Sequence, residues 1–249
     1  MAQEATKQGE WKAQVLRLTA FTNKTIQIPE PSWWFNLVGE APDQKFSKPK
    51  VGALLEEGKY QAGKLVLNMA PSRIDWFYTV ADEQIALESI TSLGMFGECV
   101  DQFAPVMNRW LSEMCPSIQR LAFGAVVFQP VENHQVGYTQ LATYLPCVKL
   151  DPDSSDFMYQ INRPRDTRTG IQGLKINRLS KWGVMKLLLH IMTPTQAMLT
   201  DPGLLGCRLE MDVNTAPDYP DDLPGARLSE IFHELVSFSK EITDKGDTP

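Results

Sequence analysis

Histidine and cysteine are scarce in this chain, and the chemistry they usually carry is correspondingly hard to place. There are three histidines in 249 residues, His134, His190 and His233, and no second ligand type stands at HExxH-like spacing from any of them. The four cysteines, Cys99, Cys115, Cys147 and Cys207, are far apart and form neither a CxxC pair nor a zinc-ligand pattern. Cys99, Cys115 and Cys207 fall inside apolar patterns, where a thiol acts as a small hydrophobe, and we read all four as reduced, as in a cytoplasmic protein. The sequence has no GxSxG elbow, no GxxxxGK[ST] loop and no GxGxxG turn. No cofactor is implied, and the reading leans away from an enzyme. Long apolar runs are missing too. Stretches such as Leu121 to Phe128 fall well short of the roughly 20 residues that span a bilayer, and the polar N-terminus lacks the apolar core of a secretory signal.

What the chain does have is an uneven distribution of charge. Its net charge is −6, yet Arg163 to Lys186 holds seven cations, Arg163, Arg165, Arg168, Lys175, Arg178, Lys181 and Lys186, against Asp166 alone. That segment is +6 and the remainder −12. The acidic whole argues against non-specific coating of DNA, whereas a local basic patch can still attract an anionic partner.

Hydrophobic periodicity predicts an α+β fold, mostly antiparallel sheet with helices packed on one face. Residues 1–12 read as a tail and 13–249 as a single domain, with 13–130 and 131–249 as two related halves, each a β-meander closed by a helix. Strands are predicted at Val15–Phe21, Lys64–Met69, Arg73–Val80 and Arg120–Phe128, the last apolar on both faces and central. Residues 22–62, with Pro29, Pro31, Pro42 and Pro49, read as a long irregular loop anchored by Trp33, Trp34 and Phe35. Helical spacing covers 95–114, with Pro105 expected to kink or split the helix, and 138–145. Four strands are expected at Asp156–Asn162, Gly170–Leu179, Trp182–Ile191 and Leu204–Val213. A last helix, about Pro224–Thr243, has Gly246 placed to end it.

Three readings of function follow. In the first, Arg163, Arg165 and Arg168 crowd one hairpin tip, with Lys175 and Arg178 beside them, and grip a carboxylate- or phosphate-bearing partner. Another protein is the leading partner and nucleic acid the alternative; a solvated hairpin balancing the acidic remainder explains the same residues. In the second, Gln160, Asn162, Lys175, Asn177, Lys186, His190, Arg208, Glu210 and Asp212 share a polar sheet face that lacks the exposed aromatics of RNA-binding sheets. In the third, Glu210 and Asp212, two residues apart on a strand, hold a divalent metal. No membrane partner is implied, and the oligomeric state is left open.

The segments IQRLAFGAVVFQPV (118–131), YTQLATYLP, LEMDVNTAP (209–217) and LSEIFHELVSFSKEI occur in an order that resembles a sporadically distributed group of bacterial proteins of similar length. In that group a strand of the RIGLRYINRI kind, a short helix, a meander, an LDID-like strand and a C-terminal helix follow one another. The resemblance covers roughly the last 130 residues, and the strand here reads Phe-Gly-Ala-Val where the group has Arg-Tyr-Ile-Asn. It implies a bacterial α+β protein of unknown function, in a defence or toxin–antitoxin-like setting, and transfers no site residues; the segregated charge and the missing catalytic motifs point to a component of a protein complex.

Overall fold

Strand β1 (Lys12–Phe21) sets the pattern for the molecule: Leu16, Leu18 and Ala20 are fully buried on one side, while on the other Val15, Arg17 and Phe21 are part-exposed and Thr19 is covered, its hydroxyl donating to Asp75. A strand of period two with one buried side needs helices on that side. The computed structural model describes residues 10–81, 90–151, 153–186, 189–192, 197–200 and 203–248, with the backbone alone at 189–192 and 197–200. The predicted tail therefore lies almost wholly outside the described residues.

The order continues with α1 (Trp33–Val38), β2 (Gln44–Lys48), β3 (Ala53–Tyr60), β4 (Gly63–Ala70), β5 (Arg73–Thr79), β6 (Gly94–Met95), α2 (Phe96–Glu113), β7 (Arg120–Val131) and α3 (His134–Tyr144). There follow β8 (Met158–Asn162), β9 (Arg165–Asp166), β10 (Lys175–Lys186), β11 (Leu189–Met192), β12 (Ala197–Thr200), β13 (Leu205–Thr215) and α4 (Leu228–Lys245). One antiparallel sheet runs β2-β3-β4-β5-β1-β7-β13-β10-β8, with β6 paired to β1, β9 to β10, and β11–β12 forming a separate hairpin. Its order repeats. β1 is followed by β3, β4 and β5, and β5 returns to pair with β1 before α2; β7 is followed by β8, β10 and β13, and β13 returns to β7 before α4. β1 and β7 meet at the centre as antiparallel neighbours, Leu18 opposite Phe123. The α+β reading, an antiparallel sheet packed against helices, is what the structure has.

The four α-helices among the described residues lie on the face lined by Leu16, Leu67, Trp76, Phe123, Leu209 and Trp182. Helix α2 brings Phe103, Met107 and Trp110, and α4 brings Ile231, Phe232, Leu235 and Phe238, all with no exposed surface. Each such side chain contributes about 1.5–3 kcal/mol by leaving water. The Trp110 ring packs edge-on against Trp33 and Trp76 at centroid distances of 5.6 and 6.0 Å, which fastens α1 under the first half. Ser32 caps α1 by accepting from the Phe35 amide, and Asn133 caps α3 by accepting from Val136. Gly246, at φ +74°, ends α4 where its Cα passes so close to the Tyr144 carbonyl that a Cβ would sit 2.0 Å from that oxygen.

Four expectations need correcting. Residues 22–62 are not one irregular loop: they hold α1, β2 and β3. Strand β2 is exposed at every residue, so it carries no alternation to read. Helix α2 is not split at Pro105 but continues through it, with the proline on its exposed side, where the carbonyl it leaves unbonded can meet water. The two strands expected at 170–191 are one strand, β10, with no turn at Ser180–Lys181; Ser180 points inward and accepts from the Trp182 indole at 2.9 Å. Lys175 and Lys186 are therefore opposite ends of one strand, not residues of neighbouring ones, and the predicted extension to Ile191 crosses 187–188, outside the described residues.

Candidate functional site

Pleat parity divides the basic segment between the two faces of the sheet. On β10 the odd residues Lys175, Asn177, Leu179 and Lys181 face away from the helices, and Ile176, Arg178, Ser180 and Trp182 face toward them. Arg178 is buried under α4 (3% exposed), while Lys175 is exposed on the opposite face.

Arg163, Arg165, Arg168 and Arg178 do converge, and they converge on α4. The Arg165, Arg168 and Arg178 guanidiniums stand 5.7, 4.6 and 5.4 Å from the centroid of the Phe238 ring. Glu241, one turn further on, lies 3.1 Å from Arg165 Nη1, 3.7 Å from Arg168 Nη2 and 4.0 Å from Arg178 Nη2. Arg163 grips Asp247 with two nitrogens, Nη2 at 2.8 Å, and Tyr159 donates to the same carboxylate at 2.8 Å. Glu234 accepts from Thr167 Oγ1 at 2.5 Å and from the Arg168 amide at 2.6 Å. Burial alone would raise the Asp247 and Glu241 carboxyls, but the hydrogen bonds and charges of Arg163 and Arg165 outweigh it and hold both below their ordinary values. Burial, with Arg165 nearby, lowers the Arg178 guanidinium. These arginines fasten the 163–169 turn to α4 and the residues after it through Glu241 and Asp247, while Glu234 holds the turn by the Thr167 hydroxyl and the Arg168 amide. Sequence spacing showed the cations but not their partners. The available signal was Glu234, Phe238 and Glu241 at i, i+4 and i+7, one stripe along α4.

The face of the sheet away from the helices, called the uncovered face because among the described residues no helix packs on it, gathers the second set of residues. Continuous pairing aligns Phe77 (β5), Arg17 (β1), Gly124 (β7), Asp212 (β13), Leu179 (β10) and Asn162 (β8) in one row. The adjacent row runs Thr79, Val15, Val126, Glu210, Lys181 and Gln160. Between them is a shallow depression of about 440 Å³, floored by Val15, Phe77, Val126 and Leu179. Arg17 reaches across β7 to Asp212 at 3.3 Å. Gly124 makes the crossing possible, since a Cβ there would stand 3.2 Å from Arg17 Nη2. Glu210 is held by Arg208 and, at 3.5 Å, by Lys181. At one end an amide chain runs from Asn162 to Asn177 (2.9 Å), Asn214 (3.1 Å) and Asp212 (2.8 Å). Beyond it the Phe21 ring lies between the Arg73 and Arg120 guanidiniums, at 5.5 and 5.1 Å.

This face contains most of the predicted polar face: Gln160, Asn162, Lys175, Asn177, Arg208, Glu210 and Asp212. His190 lies among residues of which the backbone alone is described. Sequence reasoning missed Arg17, Phe21 and Phe77, because the first-half strands were not known to continue the same surface, and it set Lys181 in a turn between two strands rather than on this face. The C-terminal strands bring no aromatic to this face, as expected, but the first-half strands add the part-exposed Phe21 and Phe77. Among the described residues no group of three or more His, Cys, Asp or Glu side chains could hold a metal. Glu210 and Asp212 are each engaged by cations, although a depression does lie beside them.

No helix among the described residues is long and apolar enough to cross a membrane. No family model matches the chain, and no curated protein does.

Proposed function

We propose that this is a non-enzymatic binding component of a bacterial protein complex, and that its docking surface is the uncovered face of the sheet rather than the arginine turn. The observation that carries the reading is the contrast between the two charged regions. The turn arginines are already engaged within the same chain, Arg163 by Asp247 and Arg165, Arg168 and Arg178 by Glu241. The uncovered face presents an apolar floor edged by charges of both signs, Arg17 and Asp212, Lys181 and Glu210, at a third or so of full exposure. Such a surface favours a protein partner with its own alternating charges, which it would select by complementarity. Nucleic acid is the alternative partner, disfavoured where Glu210 and Asp212 would meet its phosphates. The four free cysteines fit a reducing cytoplasm.

The test reverses charge at each region separately. Arg17→Glu with Lys181→Glu should abolish co-purification with the products of adjacent genes, and Arg168→Glu, at the exposed rim of the turn, should leave it intact. Loss of the partner with Arg168→Glu alone would return the site to the turn. Salt-sensitive binding of single-stranded nucleic acid by the wild-type chain would replace the protein partner with a nucleic acid.

A further inference from the structure

The two edges of the sheet are built differently. Edge strand β2 reads Gln44-Lys45-Phe46-Ser47-Lys48, and its lysines guard it against pairing with another chain. Edge strand β8 reads Met158-Tyr159-Gln160-Ile161-Asn162, with no charge and no proline. The direction of its free backbone groups follows from two hydrogen bonds. The Ala216 amide donates to Lys175 O, and the Arg163 amide donates to Arg178 O. Even-numbered residues of β10 therefore bond toward β8, and Tyr159 and Ile161 bond back. That leaves the N–H and C=O groups of Met158, Gln160 and Asn162 directed outward.

We propose that β8 pairs antiparallel with β8 of a second copy of this chain, joining two sheets into one about a two-fold axis at Gln160. The strand is complementary to itself in that arrangement. Gln160 meets the partner copy's equivalent residue, and Met158 meets Asn162 at both ends, so all three outward-directed residues form hydrogen-bonded pairs. Inward-facing Tyr159 meets Ile161, and no like charges oppose one another along the strand. Met158, the most exposed large apolar side chain among the described residues at 64%, is covered by the second copy. The operation keeps both helical layers on one side and both uncovered faces on the other, so the inference stands independently of which partner docks there. A five-residue strand pair lies at the small end of specific interfaces, where association is weak, so a dissociation constant in the micromolar range is expected.

Sedimentation equilibrium from about 1 to 500 µM tests it, because that range brackets the expected dissociation constant. Wild type should pass from monomer to dimer. Gln160→Lys and Gln160→Glu each place like charges face to face on the axis and should weaken the dimer at least tenfold, while an equimolar mixture of the two should restore it. Because Gln160 stands beside Lys181, the mixture also separates charge pairing across the axis from effects within one chain. Gln160 is exposed and its free backbone groups make no bond within the sheet, so both variants should melt with the wild type. A wild type that stays monomeric throughout would overturn the proposal, as would a dimer that neither substitution weakens.

Discussion

The clip between Arg163 and Asp247 gives a quantitative test of how the arginine turn is held. Asp247 accepts two hydrogen bonds from Arg163 and one from Tyr159, and its side chain is 3% exposed where that of Arg163 is 25% exposed. The two single deletions should therefore differ. Asp247→Ala leaves an arginine that can turn toward water and costs about 2 kcal/mol, whereas Arg163→Ala leaves a buried carboxylate with the Tyr159 hydroxyl alone and costs about 3 kcal/mol. The double variant should lose about 3–3.5 kcal/mol, a coupling of about 1.5–2 kcal/mol, since once the carboxylate is gone the arginine has little left to stabilise. At about 2–4 °C per kcal/mol for a chain of this size, the arginine variant should melt about 6–12 °C below wild type. The sign with pH follows from Asp247 being held below its ordinary 3.8 in the folded chain. The contribution is complete above 3.8, fades as pH falls through that value, and is gone once pH drops below the folded-state value. Thermal melts of the four proteins at neutral pH and on acidification measure both effects. Additivity within about 0.5 kcal/mol, or a gap between wild type and double variant that acid leaves unchanged, would refute the reasoning.

Gly246→Ala should destabilise by more than about 2 kcal/mol, because the residue combines a positive φ with a backbone approach that leaves no room for a methyl group; chemical denaturation reads this directly, and a change below about 0.5 kcal/mol would mean the contact with Tyr144 is not made. The cysteines should label in order of exposure. Burial pushes the Cys99 thiol up to about 11 and Cys207 up to about 12, whereas Cys147 is exposed, so iodoacetamide at mild alkaline pH should modify Cys147 first and reach Cys99 and Cys207 on unfolding. Mass spectrometry of tryptic peptides over time distinguishes them.

Legibility in the sequence followed burial on one side. Strand β13 and helix α4 were readable because each buries one stripe and exposes the other: Cys207, Leu209, Met211 and Val213 in the first, Leu228, Ile231, Phe232, Leu235 and Phe238 in the second. The reading failed where that contrast is absent. β2 is exposed throughout, and in β10 a buried arginine and a buried serine interrupt the apolar side, so a continuous strand looked like two with a turn between. Arg178 was read as a surface charge because nothing local shows that Phe238 and Glu241, sixty and more residues later, lie above it.

The same long-range pairing changes what the basic segment means. Seven cations in a row suggested a patch, but a strand sends alternate residues to opposite sides of a sheet, and this one separates them. Arg178 joins the turn arginines over α4, where opposing carboxylates make them part of the fold. Lys175 and Lys181 join a surface where Arg17 and Asp212, and Lys181 and Glu210, set opposite charges side by side across strands. A run of like charge along the chain is thus divided between two faces, each of which also carries carboxylates. Any partner of the uncovered face meets pairs such as Arg17–Asp212 and Lys181–Glu210. Binding that depends on them should fall when either sign is reversed, which a simple basic patch would not do.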